Sequence, residues 1–128
     1  MTENESYVDE AKVVIEKLKN AKNQYGKPIK IVSTSQIRNL LSMTADIYNQ
    51  VKLSSADELT KDIKDQLQYL RVRIVYDAGR EESVKDFVKT GKILEKLKVV
   101  KTKEDYITFS RYMEALVAWR KYLCEKDD

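Results

Sequence analysis

Lys85, Lys89, Lys92 and Lys96 recur at steps of four, three and four residues, so on one continuous helix their ammonium groups share a line. Such a rail suits a polyanion. It also suits plain solvent, because Glu81, Asp86 and Glu95 sit at helical offsets that partly neutralise it. Guanidinium groups are more selective, since a planar fork binds phosphate through two parallel hydrogen bonds where an ammonium offers a mobile point charge. The chain has six arginines, Arg38, Arg71, Arg73, Arg80, Arg111 and Arg120. Arg71 and Arg73 project to different sides of any helix that carries them, so at most one shares a surface with Lys61 and Lys64. The other is placed to pair with an acid such as Asp62 or Asp77.

Chemistry that transforms a substrate is hard to assemble here. There is no histidine among the 128 residues, which removes the commonest general base and the commonest nitrogen ligand for a metal. The single Cys124 has no imidazole to activate it and no second cysteine to pair with. No glycine-rich phosphate loop or zinc spacing is present. The carboxylate pairs Asp57–Glu58, Glu81–Glu82 and Glu104–Asp105 all stand where helices are expected to begin, and acids there offset the helix dipole. The expectation is a protein without catalytic residues, metal or cofactor, and therefore one that binds.

Charge points the same way. Of 24 basic residues, 23 fall between Ala11 and Cys124, against 14 of the 21 acids, so a strongly basic body stands between acidic ends. Glu3, Glu5, Asp9 and Glu10 lie at one end, and Glu125, Asp127 and Asp128 at the other. Eight tyrosines are available to stack on bases. Several fall on apolar stripes and read as core or interface, with Tyr69 and Tyr76 undecided.

The elements that position these groups are helices. Hydrophobic residues make up 42% and charged residues 35%, with three glycines and one proline, too few turn residues for a strand-rich fold. Apolar spacing predicts helices over residues 6–24, 33–53, 57–78, 81–98 and 102–123. Gly26-Lys27-Pro28 stops the first, Ser33 and Gln36 form a capping box for the second, and Gly79 stops the third. The third carries Leu59, Ile63, Leu67, Leu70 and Ile74 on one face and Tyr69, Val72 and Tyr76 on nearly the opposite one. It either runs through the middle of a bundle or offers one side to another chain. Gly91 falls inside the fourth, tolerated at a cost or marking a close helix contact. The sum is an all-α protein, a compact bundle of about five antiparallel helices in a single domain over residues 1–128, ordered over about 6–124 with frayed last residues. Neither a signal peptide nor a membrane span is expected, so the reading is a cytoplasmic protein.

Residues 66–80, with Tyr69, Arg71, Arg73, Tyr76, Gly79 and Arg80, and residues 109–117, with Arg111 and Tyr112, resemble the small helical subunit of the type III-A CRISPR effector, the Csm complex. Ser35 to Asn39, including Arg38, agrees, and the likeness runs over about residues 33–123. The resemblance implies a non-catalytic subunit lying along the duplex of guide RNA and target RNA. It implies self-association as a short filament or dimer, contact with other Csm subunits, and a place in antiviral defence. Pairing with the guide would supply sequence recognition, leaving this chain to contact phosphates and sugars. Arg38, Arg71, Arg73, Arg80 and Arg111 match the family pattern. Lys61, Lys64, Lys85, Lys89 and Lys92 complete the candidate RNA-binding set on charge alone. The alternative is a helical protein–protein adaptor that does not touch nucleic acid, its positive charge serving only solubility.

Overall fold

In the computed structural model, which describes residues 6–124, helix starts are set by side-chain oxygens that accept otherwise orphaned amides. Ser6 Oγ accepts from Val8 N–H at 2.9 Å and opens α1, Tyr7–Lys19. Ser33 Oγ accepts from Gln36 N–H at 3.1 Å while Gln36 Oε1 accepts from Ser33 N–H at 2.9 Å, the reciprocal box expected at the start of α2, Thr34–Leu53. Thr60 opens α3, Lys61–Arg80, and α4 and α5 span Glu82–Thr90 and Ile93–Lys98. Thr102 and Asp105 form a second box at the start of α6, Lys103–Leu123. There the Asp105 carboxylate accepts the amides of Lys101 and Thr102, which hold its pKa below the usual carboxylate range. The acidic ends at Glu3, Glu5, Glu125, Asp127 and Asp128, and the fraying expected of the last residues, lie outside the described residues.

The described residues thus form six helices, all-α as expected, where five were expected. The fourth predicted helix is two. Gly91 ends α4, and Lys92 adopts the left-handed conformation at φ 53° before α5 begins. Glycine suits the joint, since a β-carbon on Gly91 would stand 3.1 Å from the Phe87 carbonyl oxygen and 3.4 Å from Ile93. The Tyr112 hydroxyl donates to the Gly91 carbonyl at 3.0 Å. The bend lets Val84, Phe87 and Val88 of α4 and Ile93 and Leu97 of α5 all enter the core.

Other boundaries moved for local reasons. α1 ends at Lys19 rather than near residue 24, because the Asn23 side chain accepts from Tyr25 N–H at 2.8 Å and Lys27 N–H at 3.1 Å. That side chain offers the backbone a turn in place of further helix. Gly26 does take a left-handed φ of 77°, within that turn. α3 begins at Lys61 rather than Asp57, since Asp57 and Glu58 pair with the segment before α6: Lys103 N–H donates to the Asp57 carbonyl at 2.8 Å, and Glu58 bridges Thr102. Gly79 lies inside α3, which runs on to Arg80.

α6 packs against both α1 and α2, whereas α3 packs against α2, α4 and α5. Ile15, Ile37, Leu40, Ile74, Phe87, Ile93, Met113 and Leu116 are fully buried in one contiguous core. Tyr106 and Tyr112 are buried too, and Tyr106 donates its hydroxyl to the Thr44 carbonyl at 2.6 Å. Burial pushes both phenols well above the usual tyrosine range, with the Glu10 charge adding to the effect at Tyr112. Among the described residues no helix is long and apolar enough to cross a membrane.

Two outcomes are expected. Because the folded phenols resist ionisation, stability contributed by Tyr106 and Tyr112 is intact below pH about 10 and is lost as pH rises above it, by up to about 1.4 kcal/mol per pH unit per group. Urea unfolding between pH 8 and 11.5 should show that loss, and Tyr112→Phe should reduce the slope. Gly91→Ala should lower stability by about 1–3 kcal/mol, read as a fall in Tm with the helical circular dichroism of the folded state preserved.

Candidate nucleic-acid interface

α3 decides the question that its two apolar faces raised. Ile63, Leu67, Leu70 and Ile74 are buried, while Tyr69 (63%), Val72 (60%), Val75 (55%) and Tyr76 (56%) remain exposed. The helix therefore runs along one side of the assembly and offers its outer face to solvent. Its arginines divide as the helical rotation requires, since two residues turn through about 200°. Arg73 faces α2, where it lines a groove of about 400 Å³ with Met43, Asp46, Ile47 and Tyr69. Arg71 lies on the other flank, which Lys64 shares, and donates Nη1 to Gln68 Oε1 at 2.9 Å. Among the described residues neither arginine pairs with an acid; Asp62 instead accepts from Gln66 at 3.0 Å. Lys61 is taken by Asp65 at 3.0 Å, and that hydrogen bond raises its pKa.

The α2-facing flank has an order of its own. Tyr69, Arg73, Tyr76 and Arg80 follow one another at steps of four, three and four, so phenol and guanidinium alternate along one line of α3. The Arg73 and Arg80 guanidinium carbons stand 5.9 and 5.6 Å from the centroid of the Tyr76 ring, one on each helical side of it in sequence. Cation–π contact of this kind restrains both arginines without neutralising them. Arg80 also lines a smaller polar pocket of about 200 Å³ with Gln36, Asn39, Asp77 and Glu81, and neither acid forms an ion pair with it. Arg38 is exposed one position before Asn39, turned by about 100° onto the outer side of α2.

The lysine rail does not hold as a single line. Lys85 and Lys89 are exposed on α4, but Lys92 sits in the left-handed joint and Lys96 belongs to α5. Lys96 is committed elsewhere: its ammonium meets Glu10 of α1 at 2.8 Å and lies 4.6 Å from the Tyr112 ring centroid. Lys89 instead joins Lys17 and Lys30 around a depression that also holds Asp86.

Arg111 is exposed in a different place, a groove of about 650 Å³ between α1 and α6 lined by Val8, Glu114, Trp119 and Tyr122. Trp119 Nε1 donates to the Val8 carbonyl at 2.9 Å, which fixes the ring there. Arg120 is buried and structural, donating Nε to the Val32 carbonyl at 2.7 Å. The candidates therefore do not form one surface. Arg73 and Arg80 are brought together on the α2–α3 flank, Arg71 and Lys64 on the far flank, and Lys85 and Lys89 on α4 with Lys92 at the joint that follows it, while Arg38, Lys61 and Arg111 belong to none of these groups. What the sequence left undecided was the pair of tyrosines, Tyr69 and Tyr76, that alternate with Arg73 and Arg80. Their four-three-four spacing is legible in the sequence and identical to that of the lysine rail.

Guanidinium groups rooted on a helix can bind an anion through paired hydrogen bonds. Comparison with known proteins gives this chemistry a context. The family model described as Csm2 Type III-A matches residues 12–126. A protein of Streptococcus thermophilus named CRISPR system Cms protein Csm2 is 45% identical over 124 residues, covering 96% of this chain and 95% of its own length. Its namesake in Mycobacterium tuberculosis is 42% identical over the same share of both chains, and that of Enterococcus italicus is 32% identical over 88% of this chain and 85% of its own. With the match extending from α1 through α6, the chain belongs to the Csm2 family of type III-A CRISPR systems.

Proposed function

We propose that this chain is a non-catalytic subunit of a cytoplasmic type III-A CRISPR ribonucleoprotein, lying along the duplex of guide and target RNA and holding its phosphates regardless of sequence. The observation that carries this reading is the pair of guanidiniums at Arg73 and Arg80, which form no ion pair among the described residues and lie 5.9 and 5.6 Å from the Tyr76 ring centroid. A duplex whose bases are already paired leaves the protein only backbone and shape to recognise, and arginine on a stiff helix meets that need. Arg38, Arg71 and Lys64, with Lys85, Lys89 and Lys92 of the α4–α5 corner, stand outside that surface and would serve as secondary contacts with other stretches of the RNA. Lys61 and Arg111 rank lower, the first because Asp65 holds it and the second because its groove is apolar and aromatic.

Self-stacking and contact with other Csm subunits find support in two unlike apolar surfaces. Val72 and Val75 crest the outer side of α3, and Val8, Trp119 and Tyr122 line the α1–α6 groove. Two different patches on one chain favour head-to-tail association, which continues from copy to copy instead of closing as a pair. The same surfaces support the second reading, an adaptor that docks proteins and does not touch RNA.

Ionic strength separates the two. Phosphate neutralisation predicts RNA affinity that falls steeply with salt, and an apolar docking surface is nearly indifferent to it. In gel shifts with unrelated duplexes, the Arg73→Glu, Arg80→Glu double variant should bind all of them more weakly, with a shallower salt dependence by about one unit of log–log slope per lost phosphate and unchanged circular dichroism. Equal binding by wild type and double variant at every salt concentration would remove the arginine surface from the interface.

A further inference from the structure

The groove beside the arginine–tyrosine line is more than a backbone clamp requires. Its floor is apolar, formed by Met43, Ile47 and Leu70, and one wall is the exposed ring of Tyr69. At its edge the Gln50 and Gln66 side chains exchange amide hydrogen bonds at 2.8 Å in both directions, and Gln66 is further tied to Asp62. These groups are held before any ligand arrives. Asp46 and Asp65 also line the groove; Asp65 is held by Lys61, whereas Asp46 is exposed and has no ion pair among the described residues. A carboxylate is unwelcome beside phosphate, so a purely backbone-binding role leaves Asp46 unexplained. Its proper partner is an N–H donor, such as the exocyclic amine of a nucleobase. An aromatic wall, an apolar floor and an exposed carboxylate able to accept from an amine, with guanidiniums alongside, together describe a site for one base and its flanking phosphates.

We propose that the groove between α2 and α3 receives a single unpaired nucleobase of the bound RNA, stacked on Tyr69, its amine facing Asp46 and its neighbouring phosphates held by Arg73 and Arg80. A base within the duplex stack cannot enter, because its faces are covered; a bulged one can. The four rungs from Tyr69 to Arg80 extend about 16 Å along α3, so the strand can follow the helix past the groove. This inference rests on the RNA-binding reading above, and it assigns one side of that site to an unpaired base with an exocyclic amine.

The test uses the full chain and two RNA duplexes, one perfectly paired and one carrying a single bulged 2-aminopurine. Wild type should bind the bulged duplex roughly 10-fold more tightly and quench the fluorophore. Tyr69→Leu should lose both the preference and the quenching while keeping its affinity for the perfect duplex, and Tyr69→Phe should retain them. With bulged adenine against bulged uracil, wild type should favour adenine, and Asp46→Ala should flatten that ratio. Equal binding of bulged and paired RNA by wild type, or a preference that survives in Tyr69→Leu, would overturn the proposal and leave backbone binding standing. Absence of binding to either duplex would overturn the RNA-binding reading and this one with it. A groove made for docking protein would appear as RNA binding indifferent to both Tyr69 and Asp46.

Discussion

The arrangement of this protein depends on the buried polar tips of α6. Tyr106, Tyr112 and Arg120 each carry a large side chain into the interior and end in a donor that must be satisfied there. Each finds a backbone carbonyl in a different segment: Thr44 in α2, Gly91 at the α4–α5 joint, and Val32 in the connector before α2. A donor left unpaired at such depth costs about 1–3 kcal/mol, so the three bonds select one register of α6 against its neighbours where apolar contact alone would allow several. The same demand is incompletely met at Arg120, whose buried Nη1 has no partner among the described residues. Its one bond there is from Nε to the Val32 carbonyl.

Because α6 gathers α1 and α2 around itself, α3 is left with neighbours on one side only. The consequence for function is direct. A helix in the middle of a bundle would bury its aromatic and cationic residues; a helix on the flank shows them. The alternation of Tyr69, Arg73, Tyr76 and Arg80 therefore reaches solvent as an ordered surface, backed by a rigid row of Ile63, Leu67, Leu70 and Ile74 in the core. Binding sites gain from such backing, because side chains rooted on a packed helix lose less freedom when a ligand arrives.

Much of this was legible in the sequence, for identifiable reasons. Capping oxygens act over three residues, so Ser33 with Gln36 could be located without knowing any partner. Helical periodicity exposed both faces of α3 and the opposite projection of Arg71 and Arg73. The split between α4 and α5 was not legible. The Gly91 carbonyl there is held by Tyr112, 21 residues away, which no local spacing reports. The start of α3 was obscured in the same way, because Asp57 and Glu58 have the composition of a first turn yet are drawn into pairing with the chain ahead of α6. For the candidate site, the arginines were visible as types and the lysines as a row. Which of them share a surface was decided by contacts between helices distant in sequence, as Lys96 shows by turning inward to Glu10.

The joint at Gly91 and Lys92 also grades the molecule's stiffness. Nine and six residues are too few for α4 and α5 to persist on their own, since nucleating a helix is costly and short ones repay little of it. Their order is borrowed from the core through Val84, Phe87, Val88, Ile93 and Leu97. The placement of Lys85, Lys89 and Lys92 therefore depends on that packing, whereas Arg73 and Arg80 stand on a 20-residue helix. A substitution that loosened the interior beneath the joint would displace the lysines and leave the arginines where they are.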